Sequence, residues 1–201
     1  MSNSLFGTGY KPQEGSSSRK LPAGGYIVRI MNAKMENAKT SGLPMVVIQF
    51  DICEGEYMNY FREKYDTDKG YRDNAKWQGI ARIPAVDAEG KQRSGFNSFC
   101  GAVEKSNDIK LPTEDVPFLN ALKGQVLGII FGREEVKLQS GDLVWTTKPK
   151  YYRSTETIDS GNYQIPQDEL YRGSAGTAFA SAFSPAEMPD SFSAAEDDIP
   201  F

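Results

Sequence analysis

The chain has 201 residues, 39% of them hydrophobic and 25% charged, with 23 Lys and Arg against 27 Asp and Glu, two cysteines and no histidine. That suits one ordinary domain with polar flanks. It excludes Ser-His-Asp and Cys-His nucleophiles and imidazole metal ligands, and two cysteines cannot build a structural zinc site or a disulfide framework.

The composition divides the chain into three. Residues 1–20 are rich in Gly, Ser and polar groups and read as a flexible arm. Residues 21–172 carry nearly all the strand-like patterning. From Gly173 onward, residues 173–201 hold five acids (Glu187, Asp190, Glu196, Asp197, Asp198) and no Lys or Arg, so this tail carries −5 and the rest +1, 23 cations against 22 acids. So little apolar surface cannot offset the entropy of ordering, and the tail is expected to be disordered.

Leu21-Pro22-Ala23-Gly24-Gly25 is a turn leading into a strand over 26–34. Gly42-Leu43-Pro44 punctuates the next connection. In residues 45–52, Val46, Ile48, Phe50 and Ile52 alternate with Gln49 and Asp51, the period of a half-buried strand. Residues 57–65, with aromatic and charged residues interleaved, read as a third strand. Residues 66–95 mix turn formers with short apolar pieces around Ile80-Ala81-Arg82-Ile83.

Phe96, Phe99, Cys100 and Val103 then fall at i, i+3, i+4 and i+7, one buried helix face, with Asn107 as a stop. Residues 124–138 and 142–153 read as two strands joined near Ser140-Gly141-Asp142. Three strands, a helix and two strands are the order of an OB-fold. The expected class is therefore mainly β: a five-stranded, partly closed Greek-key barrel with one helix between strands three and four, plus the disordered C-terminal tail.

The most specific signal is Asp197-Asp198-Ile199-Pro200-Phe201. A Phe ring can fill an apolar pocket while its carboxylate pairs with an Arg. The two Asp can meet a basic rim, and Pro200 lowers the ordering entropy. This ending, behind a Gly/Pro/polar linker, resembles the C-terminal tip of bacterial single-stranded DNA-binding proteins. The body is more similar to replication-associated proteins of Gram-positive phages and mobile elements. The matching pieces are the Leu21–Gly24 turn, residues 42–50, Ala102–Asn107 and Lys148–Ser154. The resemblance implies single-stranded DNA binding and recruitment of replication, recombination and repair proteins through the tip. It also implies a bacterial host cell, where the protein would be cytoplasmic or nucleoid-associated. The polar start Met1-Ser2-Asn3-Ser4 shows no evident signal peptide, and the longest apolar run, Val126 to Phe131, is too short for a membrane span. No membrane partner is expected.

Sequence-tolerant binding of single strands needs bases stacked on aromatic faces and cations along the phosphates. Three stretches supply both, giving as candidates Tyr60, Phe61, Arg62 and Lys64; Trp77 and Arg82; and Trp145, Lys148, Lys150, Tyr151, Tyr152 and Arg153. The third has no acid between Asp142 and Glu156. Aromatics in strands also serve as core or cross-strand packing, so each candidate has a structural alternative. Arg29, Lys34 and Lys39 are further phosphate-contact candidates.

Two rivals stay open: a magnesium-dependent nuclease using Glu135 and Lys137, and an adaptor whose body binds protein and not DNA. The first needs a second acid, for which Asp115 is the nearest candidate, in an apparent loop between Pro112 and Pro117. Asp66-Thr67-Asp68-Lys69-Gly70 resembles the opening of a calcium loop, but Gly70 stands where a ligand is needed and Trp77 where the closing Glu belongs. Cys53 and Cys100 read as small core residues. No enzyme activity, cofactor or metal is expected, and a homo-oligomer is left open.

Overall fold

The alternation over residues 45–52 is realised in a computed structural model, which describes residues 19–171. In strand β2 (Pro44–Ile52), Val46, Ile48, Phe50 and Ile52 are buried on one face. Strand β1 (Gly24–Asn37) is longer than its pattern suggests, and it serves two partners. Its first half, Gly24–Arg29, pairs antiparallel with strand β4 (Val126–Lys137), and Val28–Asn37 pairs antiparallel with β2. A register shift between Ile30 and Asn32 lies just past the handover, and such a bulge bends and twists the strand.

Strand β3 (Ile80–Pro84) pairs with β2 and strand β5 (Leu143–Arg153) with β4, giving one antiparallel sheet of order β3-β2-β1-β4-β5. Phe50, Phe99, Phe131, Ile30, Ile48, Ile52, Ile129 and Leu127 form the centre of the core.

Helix α2 (Ser94–Asn107) closes one end. Phe99 and Val103 are fully buried, and Phe96 and Cys100 are half-buried against the core, as the spacing predicts. Asn107 does more than stop the helix. Its Nδ2 donates to the carbonyls of Val103 and Val126 at 2.7 and 2.8 Å, and its Oδ1 accepts the Val126 N–H at 3.1 Å. One amide thus ties α2 to the first residue of β4.

The third strand is not at residues 57–65. That segment enters helix α1 (Tyr60–Tyr71), and β3 begins 23 residues later than expected, at Ile80. Residues 57–66 hold no β-branched side chain, Arg62-Glu63-Lys64 are good helix formers, and Phe61 with Tyr65 makes an i, i+4 pair. The Asp115 segment is likewise not a loop but helix α3 (Asp115–Leu122). Pro117 sits in its first turn, where the missing N–H breaks no helical bond. Two helices therefore lie between β3 and β4.

Beyond β5, a short helix α4 (Thr155–Asp159) and residues 160–171 run back over the sheet. Glycines make room for them. A Cβ on Gly128 would stand 2.3 Å from Ile158 Cγ1, and one on Gly25 2.6 Å from Tyr163 Cζ. The Gly25 N–H donates to the Tyr163 hydroxyl at 3.1 Å. Further on, Glu169 bridges to Glu134 in parallel, alongside the β4 residues that β1 leaves unpaired. Among the described residues, no helix is long and apolar enough to cross a membrane.

Candidate functional site

The two ends of the sheet, β3 and β5, are not hydrogen-bonded to each other, and the seam between them opens into a cleft of about 650 Å³. Helix α1 forms its third wall. Phe50, Phe61 and Phe131 make its floor, and Tyr60, Lys64, Trp77, Arg82, Trp145, Lys148 and Tyr152 line the sides. The side residues come from three stretches of the sequence and meet only because α1 and β3 lie opposite β5.

Helix α1 is anchored from β2. The Asp51 carboxylate accepts the backbone N–H groups of Phe61 at 2.9 Å and Arg62 at 3.1 Å, at a helix end with no side-chain cap of its own. It also accepts its neighbour Ile52 N–H at 2.9 Å. Burial pushes the Asp51 pKa up, against the pull of these three amides. Tyr60 is fixed as well. Its hydroxyl accepts the Leu21 N–H at 3.2 Å, burial raises its pKa, and Lys64 Nζ stands 5.9 Å from its ring centroid.

The candidates divide by what their side chains already do. Phe61, 7% exposed, packs edge-on to Phe50 and stacks on Phe131, so it belongs to the core floor and offers no free stacking face. Trp77 is half-buried, and its Nε1–H reaches the carbonyls of Phe50 and Gly79 at 3.1 and 3.2 Å. Trp145 is 36% exposed, with the Arg133 guanidinium 4.7 Å from its ring centroid. Tyr152 packs edge-on to Phe99, and burial drives its phenol well above the usual range.

The cations differ too. Lys64 and Arg82 make no ion pair among the described residues. Lys148 is paired with Glu134, and Lys150 sits between Glu134 and Glu169 at 2.9 Å each. Arg62 is exposed and does not line the cleft. Tyr151 and Arg153 lie on the other face of β5, beside residues 161–164, with Arg153 5.8 Å from the Tyr151 ring centroid. Of the further phosphate candidates, Arg29 donates to the Gly124 carbonyl at 3.0 Å and Lys34 pairs with Glu36.

Lys20, the last residue of the expected flexible arm, is a cleft residue. It stands there because Leu21 is stapled on both sides: its N–H to Tyr60, and its carbonyl accepting the Thr147 hydroxyl at 2.7 Å. The sequence signal was its position directly before the Leu21 turn. With Lys20, the lining of the cleft holds four cations and no acid.

The nuclease candidates have other contacts. Glu135 accepts the Tyr171 N–H at 3.2 Å, and Asp115 opens α3. Among the described residues, no three His, Cys, Asp or Glu side chains form a group able to hold a metal ion. Burial pushes the Cys53 and Cys100 thiols up, so neither is an activated thiolate. The tip, Asp197–Phe201, lies outside the described residues.

A search of curated proteins finds no match to the chain. The family model described as "Protein of unknown function (DUF669)" matches residues 9–117, just over half of the chain and including β1, β2, α1, β3 and α2, and the chain belongs to that family.

Proposed function

We propose that this protein binds single-stranded DNA without strong sequence preference, holding the strand in the cleft between β3 and β5. The observation that carries this reading is the lining itself. Four cations and no carboxylate share one open groove with the half-buried rings of Tyr60 and Trp77 and the exposed ring of Trp145. Cations tracking phosphates and aromatic faces for bases are the needs of sequence-tolerant single-strand binding. The near-neutral body is no obstacle when its cations segregate to one groove.

The sheet order β3-β2-β1-β4-β5, with α2 between β3 and β4, supports an OB-type barrel whose open seam is the binding face. Residues Asp197–Phe201 would recruit replication, recombination or repair proteins, as their resemblance to the C-terminal tip of bacterial single-stranded DNA-binding proteins implies.

The test is a titration of the full chain with unstructured oligo-dT, followed by Trp fluorescence and gel shift at two salt concentrations. The expected result is saturable quenching, with log affinity falling against log salt by about 0.7 per phosphate neutralised. Absence of both quenching and gel shift, or equal affinity for duplex and single strand, would overturn the reading.

A further inference from the structure

A second cleft, of about 630 Å³, lies farther along the β3–β5 seam, lined by Arg82–Pro84 of β3 and by Pro149, Lys150 and Tyr152 of β5. It shares Arg82, Pro149 and Tyr152 with the first. Its outer wall is the connection from β3 to α2, which contributes Lys91 and Arg93, with Phe96 from the first turn of α2.

That wall is a built hairpin turn. Val86 and Gln92 bridge, the Asp87 N–H donates to the Lys91 carbonyl at 2.9 Å, and the Lys91 N–H donates to the Asp87 carboxylate at 2.8 Å. Asp87, the one acid lining this cleft, is thereby occupied within its own turn. Arg93 is aimed by its Nε–H on the Val86 carbonyl at 3.2 Å. Arg82, Lys91 and Arg93 are exposed and make no ion pair among the described residues. A groove that continues the first one, over a Pro and a Tyr ring and on to unpaired cations, suits the next phosphates of the same strand.

We infer that the single strand does not end at Trp145 but continues along the seam over Pro149 and Tyr152, and that Lys91 and Arg93 bind its phosphates in the second cleft. Arg82, common to both clefts, holds the phosphate where they join. This rests on the proposed DNA binding and adds its extent: the site is a two-cleft track, and its outer half is carried by the β3–α2 connection.

The experiment compares oligo-dT of about five and about fifteen nucleotides, near the lower and upper site sizes of such folds, on the full chain and on the double variant K91A/R93A. The variant should weaken the longer oligonucleotide about tenfold and flatten its salt slope by about 1.4, two phosphates at about 0.7 each. The shorter one should change less than twofold. Lys64→Ala, in the first cleft, should weaken both lengths. An unchanged long-oligonucleotide affinity and slope in K91A/R93A would overturn the track, as would equal weakening at both lengths. If wild-type protein binds neither length, the proposed function falls, and the track with it. Photocrosslinking of wild-type protein to an iodouracil-substituted long oligonucleotide checks the same point without a variant. Adducts within residues 91–96 support the track, and adducts confined to the first cleft overturn it.

Discussion

The Asp51 carboxylate, on β2, accepts the N–H of Phe61, on α1, at 2.9 Å. Through this bond the sheet places the helix that walls the first cleft. Asp51 is 9% exposed and also holds the Arg62 N–H, so it does from a neighbouring strand what an N-cap residue does locally. Asp51→Ala leaves two helical amides and the Ile52 amide without their acceptor. It should destabilise the fold by about 2 kcal/mol, within the range for lost caps and buried unpaired donors, measured by urea denaturation. Asp51→Asn retains one acceptor oxygen and should cost about half as much.

Trp77 and Trp145 line the same cleft but separate on exposure and bonding. The Trp77 Nε1–H is committed to two backbone carbonyls, whereas the Trp145 ring is open and covered on one side by Arg133. Trp145→Ala should therefore weaken oligo-dT by about 1–3 kcal/mol, the value of one stacked base, with thermal stability changed by less than about 0.5 kcal/mol. Trp77→Ala should do the reverse and act mainly on stability. Parallel melts and titrations of the two variants read the split, and equal effects on both properties would refute it.

Gly128 allows α4 to lie on β4. A Cβ there would stand 2.3 Å from Ile158 Cγ1 and 3.0 Å from the Arg153 carbonyl oxygen. Gly128→Ala should destabilise by about 1–3 kcal/mol, the usual penalty of overpacking. Pairing it with Ile158→Ala, which removes the nearest obstructing atom, should recover part of the loss. Urea midpoints of the two single variants and the double variant measure the coupling.

Regular periodicity made β2 and α2 legible: Val46 to Ile52 at period two, and Phe96 to Val103 at the helical spacing. Residues 57–65 were opaque because aromatics favour strands on average, while the decisive partner, Asp51, lies on another element. The cleft was legible as three separate stretches, since side-chain chemistry is local. Which of its cations are free was not. Lys150 is neutralised by Glu134, which stands on the adjacent strand beside it, and by Glu169, which arrives through a parallel bridge formed 16 residues after β5 ends. No pattern within residues 145–153 announces either contact.

Glu134 therefore sets how much of the cleft's charge is available. Burial raises its pKa, but the ammonium groups of Lys148 and Lys150 outweigh this and hold the carboxylate below its ordinary 4.5. Because the folded value is depressed, the contribution to stability is complete above the unfolded value, and it is lost as pH falls through the folded one. Glu134→Gln should cost about 1 kcal/mol at pH 7, between surface and buried pairs, and the difference from wild type should vanish as pH falls through the depressed folded value. The same variant frees Lys148 in the first cleft and loosens Lys150, which lines the second and keeps its pair with Glu169. Oligo-dT should then bind more tightly at pH 7, with a salt slope steeper by about 0.7–1.4, one or two additional phosphates. Tighter binding from a destabilised variant would show that Glu134 competes with the strand for these lysines. Weaker binding with an unchanged slope would show instead that the ion pairs hold β5 in its binding shape.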